Sequence, residues 1–63
     1  MNQYNLGKYS LVVRTKDPTL ASRCKKHNLE FTATGDKGGY DIYFIIGESD
    51  ELESLVKEME ENN

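Results

Sequence analysis

The chain has little of what stabilises or localises many small proteins. It contains one cysteine, one histidine, one proline and no tryptophan. A lone cysteine excludes an internal disulfide and is more typical of a reducing compartment than of secreted disulfide-rich domains. No purely apolar run exceeds the three residues of 44–46, which is far too short to span a bilayer. With a polar start that has no signal-peptide core, the chain is predicted to be cytoplasmic and not to bind membranes.

The length of 63 residues suits one domain with a thin core. Hydrophobic residues make up 37% and charged residues 30% of the chain, a balance that predicts folding rather than disorder. A domain of this size buries only about 60% of its unfolded surface, so self-association is an expected source of extra stability. We predict a single domain over residues 8–61, preceded by a loose lead-in at residues 1–7.

Charge is unevenly distributed along the chain. The net charge is −3, yet residues 48–63 hold seven of the eleven acidic residues and only one of the eight basic ones. The simplest interpretation is a solvated acidic helix face. The same segment could also dock a basic partner. The residues of this predicted acidic docking surface are Glu51, Glu53, Glu58 and Glu60.

Three segments have the alternating apolar pattern of β-strands. These are residues 8–15, 29–34 and 40–46. The glycine-rich segment 35–39 supplies turn residues between the second and third segments, so those two predict a β-hairpin.

Two segments have helical signals. Asp17 can accept hydrogen bonds from free amide groups at a helix start, and Pro18 suits the first helical position. Asn28 suits the left-handed conformation that often ends a helix. The C-terminal segment is the clearest helix, because its apolar residues recur at i, i+3, i+4 and i+7. These residues are Leu52, Leu55, Val56 and Met59.

The predicted order β-α-β-β-α indicates an α+β fold. A right-handed crossover should leave the first two strands parallel, with the third strand paired between them. This gives a three-stranded sheet in the order first, third, second, with both helices on one face. The topology resembles a ferredoxin-like fold without its final strand. Such a resemblance implies a fold and says little about function.

One face of this sheet is predicted to stay open. If the helices cover the face that carries Leu11, Val13, Phe31, Ile42 and Phe44, the other face is left open as a contact surface. On the open face, the predicted partner-binding residues are Val12, Arg14, Thr32, Tyr43 and Ile45.

The strand at residues 8–15 is predicted to be an exposed edge, because the missing fourth strand would have lain beside it. Its unpaired N–H and C=O groups could pair with a second copy or with a partner strand. The alternative is that the lead-in, in which Tyr4 and Leu6 alternate, folds over this edge.

These surfaces favour a non-enzymatic protein-interaction module that forms a homodimer or docks a protein partner through the open face and edge strand. The small size and the lack of active-site chemistry are also typical of accessory or inhibitory proteins that viruses and mobile elements encode. The alternative is binding of single-stranded RNA, with Tyr43 stacking on a base and Arg14 contacting phosphate. The acidic C-terminal segment disfavours that alternative.

No catalytic, cofactor or metal site is predicted. Cys24 and His27 lie three residues apart on one helix, so their side chains can meet. However, no orienting group or oxyanion site can be identified beside them, and a metal site would need further ligands. The glycine-rich segment 35–39 joins two strands, whereas phosphate-binding loops join a strand to a helix. Cys24 is therefore predicted to be a small buried apolar residue, and enzymatic activity is not expected.

Overall fold

Four strands and two helices follow one another along the part of the chain that the structure describes. The computed structural model describes residues 3–36 and 38–61. Within these ranges neither helix is long and apolar enough to cross a membrane. The α+β class is confirmed. The elements are β1 (Gln3–Leu6), β2 (Ser10–Thr15), α1 (Leu20–Lys26), β3 (Glu30–Gly35), β4 (Asp41–Ile46) and α2 (Ser49–Glu61).

All four strands form one sheet in the order β1-β2-β4-β3, and every neighbouring pair is antiparallel. β2 and β3 both run antiparallel to β4 between them, so they are parallel to each other, as a strand–helix–strand crossover requires. The predicted three-stranded sheet is wrong, because β1 adds a fourth strand. The prediction of a loose lead-in is also wrong for Gln3–Leu6, while residues 1 and 2 lie outside the described residues.

β1 covers the edge of β2 that was predicted to be exposed. A tight turn returns the chain, in which the Gly7 N–H donates to the Ser10 carbonyl at 2.8 Å. Four residue pairs then join β1 to β2, which satisfies the outer edge of β2. The position beside β2 that a final strand would take in a ferredoxin-like sheet is therefore filled from the other end of the chain. The topology is not the predicted truncated form.

The core lies between the two helices and one face of the sheet. α2 buries its whole apolar stripe, which confirms the prediction of an amphipathic helix. α1 is short and buries Leu20 and Cys24, so Cys24 is a small apolar core residue as predicted. The strands contribute Leu11, Val13, Tyr43 and Ile45.

β4 turns the opposite face to the core from the one predicted. Tyr43 and Ile45 are buried, whereas Phe44 and Ile46 are exposed. This strand carries apolar side chains on both faces, so alternation alone cannot show which face points inward. Register decides the matter: directly opposite residues share a face, and the buried side chains of β2 lie opposite Tyr43 and Ile45.

The ends of α1 follow the predicted signals in part. Asp17 Oδ1 accepts hydrogen bonds from the Thr19 N–H at 2.8 Å and the Thr19 hydroxyl at 2.6 Å. The helix itself begins at Leu20, two residues after the predicted Pro18. Asn28 has φ = 58°, the left-handed conformation that was predicted beyond the helix end.

Candidate functional site on the open face

An apolar ridge runs along the middle of the sheet face that the helices leave uncovered. Ile42, Phe44 and Ile46 lie on this face because side chains alternate along β4, and we call these three residues the β4 ridge. Phe44 is 48% and Ile46 60% exposed, while Ile42 is half-buried. In the register Phe44 lies between Val12 of β2 and Thr32 of β3. Val12 is itself 37% exposed, so the ridge continues sideways onto β2.

A shallow groove of about 230 Å³ lies beside this ridge, over β1 and β2. The register places Asn5, Val12 and Phe44 in one row across three strands. The ridge and the groove are therefore neighbouring features of one continuous surface. We call this depression the β1–β2 groove, and the residues that line it are Gln3, Tyr4, Asn5, Val12 and Arg14.

Arg14 is engaged within the chain. Its Nε donates to Asp36 Oδ2 at 2.7 Å, and its guanidinium lies 3.9 Å from the centre of the Tyr40 ring. Asp36 also accepts from the backbone N–H groups of Gly38 and Tyr40, at 2.8 and 3.1 Å. Its hydrogen bond with Arg14, helped by these amides, holds the pKa of Asp36 below its usual value. Arg14 therefore braces the β3–β4 turn, and the turn amides already face a carboxylate.

Comparison with known proteins assigns no family. No family model, curated protein or solved structure matches the chain. What the open face can bind is therefore inferred from its shape, exposure and charge.

Only some of the residues predicted to bind a partner lie on the open face. Val12 and Thr32 lie on the open face beside Phe44. Tyr43 and Ile45 do not, because they belong to the buried core. Phe44 lies on the open face and not on the covered face predicted for it. The groove was not predicted, because it depends on the pairing of β1 with β2.

The predicted acidic docking surface is mostly engaged with α1. Glu58 accepts from Arg23 at 3.0 Å and from Lys26 at 3.4 Å, and it also contacts His27 Nε2. The other ring nitrogen of His27 lies 3.0 Å from Glu51 Oε2. We call these five residues the interhelix cluster, since they join the last turn of α1 to α2. Two of the four predicted docking carboxylates are thus committed to holding the helices together.

The remaining two residues of that predicted surface do not restore it. Glu60 accepts a hydrogen bond from the Tyr4 hydroxyl at 2.7 Å, which ties the end of α2 to β1. Glu53 is exposed. The acidic docking surface stays a prediction, and three of its four carboxylates have partners within the chain.

The Cys24–His27 pair is not arranged for nucleophilic catalysis. Burial raises the pKa of the Cys24 thiol to about 11, so the reactive thiolate is disfavoured near neutral pH. Both nitrogens of His27 face carboxylates on α2. Among the described residues, no cluster of His, Cys, Asp and Glu is suited to holding a metal ion.

Proposed function

We propose that the protein is a non-enzymatic protein-interaction module that binds its partner through the open face of the sheet. The observation that carries this proposal is the exposed apolar surface of Phe44, Ile46 and Val12. It lies at the centre of a sheet whose other face is covered by both helices. Contiguous exposed apolar surface with a polar surround is typical of binding sites. The predicted edge strand at residues 8–15 no longer contributes, since β1 covers it.

Burial of the exposed parts of these side chains by a partner would contribute to the binding free energy. Full burial of a Val, Ile or Phe side chain stabilises by about 1.5–3 kcal/mol. Scaled by the exposed fractions of Phe44, Ile46 and Val12, burial of what is left contributes roughly 3 kcal/mol. Phe44 sits at the centre of the patch, where residues that dominate binding usually cluster.

Binding of single-stranded RNA is the weaker alternative. Tyr43 cannot stack on a base because it is buried, although Phe44 offers an aromatic ring on the same strand. Among the described residues of the face, Arg14 is paired with Asp36, and Glu30, opposite Ile46, adds a negative charge. RNA binding of this kind depends on uncompensated cations near the stacking ring.

The proposal is tested by capture of partners on the immobilised full chain. We expect Phe44→Glu to lose a protein that the unchanged chain retains. Tyr9→Glu is the matched control, because Tyr9 is also aromatic and exposed but lies in the bend before β2, outside the four strands. Circular dichroism checks that both variants fold. Equal retention by both variants would contradict the proposal, and salt-sensitive binding of oligouridine that Phe44→Glu abolishes would favour RNA instead.

A further inference from the structure

The open face carries a ridge and a depression side by side. The ridge of one molecule can therefore enter the depression of a second molecule, and the reverse contact can form at the same time. The β4 ridge stands at the centre of the sheet, with Phe44 at its midpoint. The β1–β2 groove lies over the next two strands, and its middle is at a lateral distance of roughly 7 Å from the ridge. A surface with this pattern is self-complementary under a two-fold rotation.

We propose that the partner of this face is a second copy of this chain. Each copy seats its β4 ridge in the β1–β2 groove of the other, so that every contact occurs twice. The inference rests on the proposed function, because it uses the same face and names the partner.

The register determines which residues meet. A two-fold axis parallel to the strands, midway between two sheets about 10 Å apart, keeps the rows of residues level. Phe44 of one copy then meets the row of the other copy that contains Asn5 and Val12. This pairing places the most central apolar side chain of the ridge against the side chains that line the groove.

The charge distribution permits this face-to-face contact. Among the described residues that line the groove, Arg14 is the charged one, and Asp36 already neutralises it at 2.7 Å. Glu30 lies on β3, on the far side of the ridge from the groove. The acid-rich α2 packs against the covered face, so two sheets separate the acidic helices of the two copies. Mutual repulsion between chains of net charge −3 is therefore kept away from the contact.

The size of the face sets the expected affinity. Four strands of up to six residues span roughly 19 by 20 Å. Two copies therefore cover roughly 750 Å² of flat face, which is below the area of about 1,200–2,000 Å² that stable complexes bury and is typical of weak, transient association. We expect a weak dimer with a dissociation constant on the order of 100 µM.

The test is sedimentation equilibrium of the full chain between about 10 µM and 1 mM, which brackets that constant. The mass should rise from the monomer value of 7.2 kDa toward twice that value. Phe44→Glu alters the ridge and Asn5→Arg fills the groove, and each should weaken association at least about tenfold. Tyr9→Glu, outside the face, should leave the dissociation constant unchanged.

An equimolar mixture of the two variants provides the most specific readout. In the mixed pair one ridge and one groove are intact and meet, while the introduced glutamate faces the introduced arginine. Association in the mixture should therefore be stronger than that of either variant alone at the same total concentration. If Phe44→Glu does not fold, Ile46→Lys alters the same ridge at a more exposed position.

The inference would be overturned if the unchanged chain stayed monomeric at the highest concentration. It would also be overturned if neither variant weakened the dimer, or if association in the mixture were no stronger than that of either variant alone. A different outcome would contradict the proposed function. If the chain is monomeric but still captures another protein in a Phe44-dependent way, the proposed interaction module is supported and only the second copy is excluded as its partner.

Discussion

Replacement of His27 by glutamine should destabilise the fold in mildly acidic solution and have little effect in alkaline solution. His27 caps the end of α1, and its two ring nitrogens face Glu51 and Glu58 on α2. The imidazolium donates from both nitrogens, whereas the neutral ring has a single donor. Protonated His27 therefore links the two helices by two charge-assisted hydrogen bonds, and neutral His27 loses one of them.

The direction of the pH dependence follows from both partners. The hydrogen bond to Glu58 raises the folded-state pKa of His27 above 6.5, so its contribution is complete below that pH and is lost as pH rises through the folded pKa. The hydrogen bond from His27 lowers the pKa of Glu58 below 4.5, so that contribution is lost only at more acidic pH. The pair stabilises most between pH 4.5 and 6.5.

The magnitude is modest but measurable. A hydrogen bond to a charged group contributes about 1.5–3 kcal/mol. The side chains of His27 and Glu58 are 15% and 20% exposed, so screening by water reduces this to about 1 kcal/mol. A domain of 63 residues has a free energy of unfolding of roughly 3–9 kcal/mol. With a urea m-value of about 1 kcal/mol/M, the midpoint should move by about 1 M.

Urea unfolding of the unchanged chain and of His27→Gln at pH about 5.5, 7 and 9 measures this effect. The stability difference should shrink steadily as pH rises. Lys25→Gln is the control, since Lys25 is an exposed cation of the same helical turn. A penalty that is equal at all three pH values would refute the reasoning, because His27 would then act through packing alone.

Three further predictions concern the fold. Asn28→Ala should cost about 1 kcal/mol in urea unfolding while Asn28→Gly costs little, because φ is 58° there; equal losses would count against a backbone cause. Gly47→Ala should cost about 1–3 kcal/mol, since a Cβ would overlap the buried side chain of Leu29; Leu29→Ala should make the same change cheaper. Cys24, whose pKa is raised by burial to about 11, should be alkylated more slowly than a free thiol near pH 8 until urea unfolds the chain; fast labelling of the native chain would contradict its burial.

The features that could be predicted from the sequence are those whose local pattern has a single physical interpretation. The stripe of α2 is apolar on a single face, so its period shows which side is buried. Asn28 follows a short helix and tolerates a left-handed backbone, which marked the helix end.

Other features could not be predicted, because the local sequence fits two structures equally well or carries no signal. β4 is apolar on both faces, and only pairing with β2 makes Tyr43 rather than Phe44 part of the core. β1 has four residues, half of them polar, so its own pattern is weak without a partner strand. The interhelix cluster joins side chains that are far apart in sequence, such as Arg23 and Glu58 at a separation of 35 residues, and no local pattern reports such a contact.

The hydrogen bond between Tyr4 and Glu60 brings the start of β1 close to the end of α2. Proteins with neighbouring termini often tolerate a change in where the chain begins. A circular permutant that starts in the turn before β2 and carries β1 after α2, through a short flexible linker, would have the chain order β-α-β-β-α-β. That is the strand and helix order of a complete ferredoxin-like fold, reached while the strand order of the sheet stays the same.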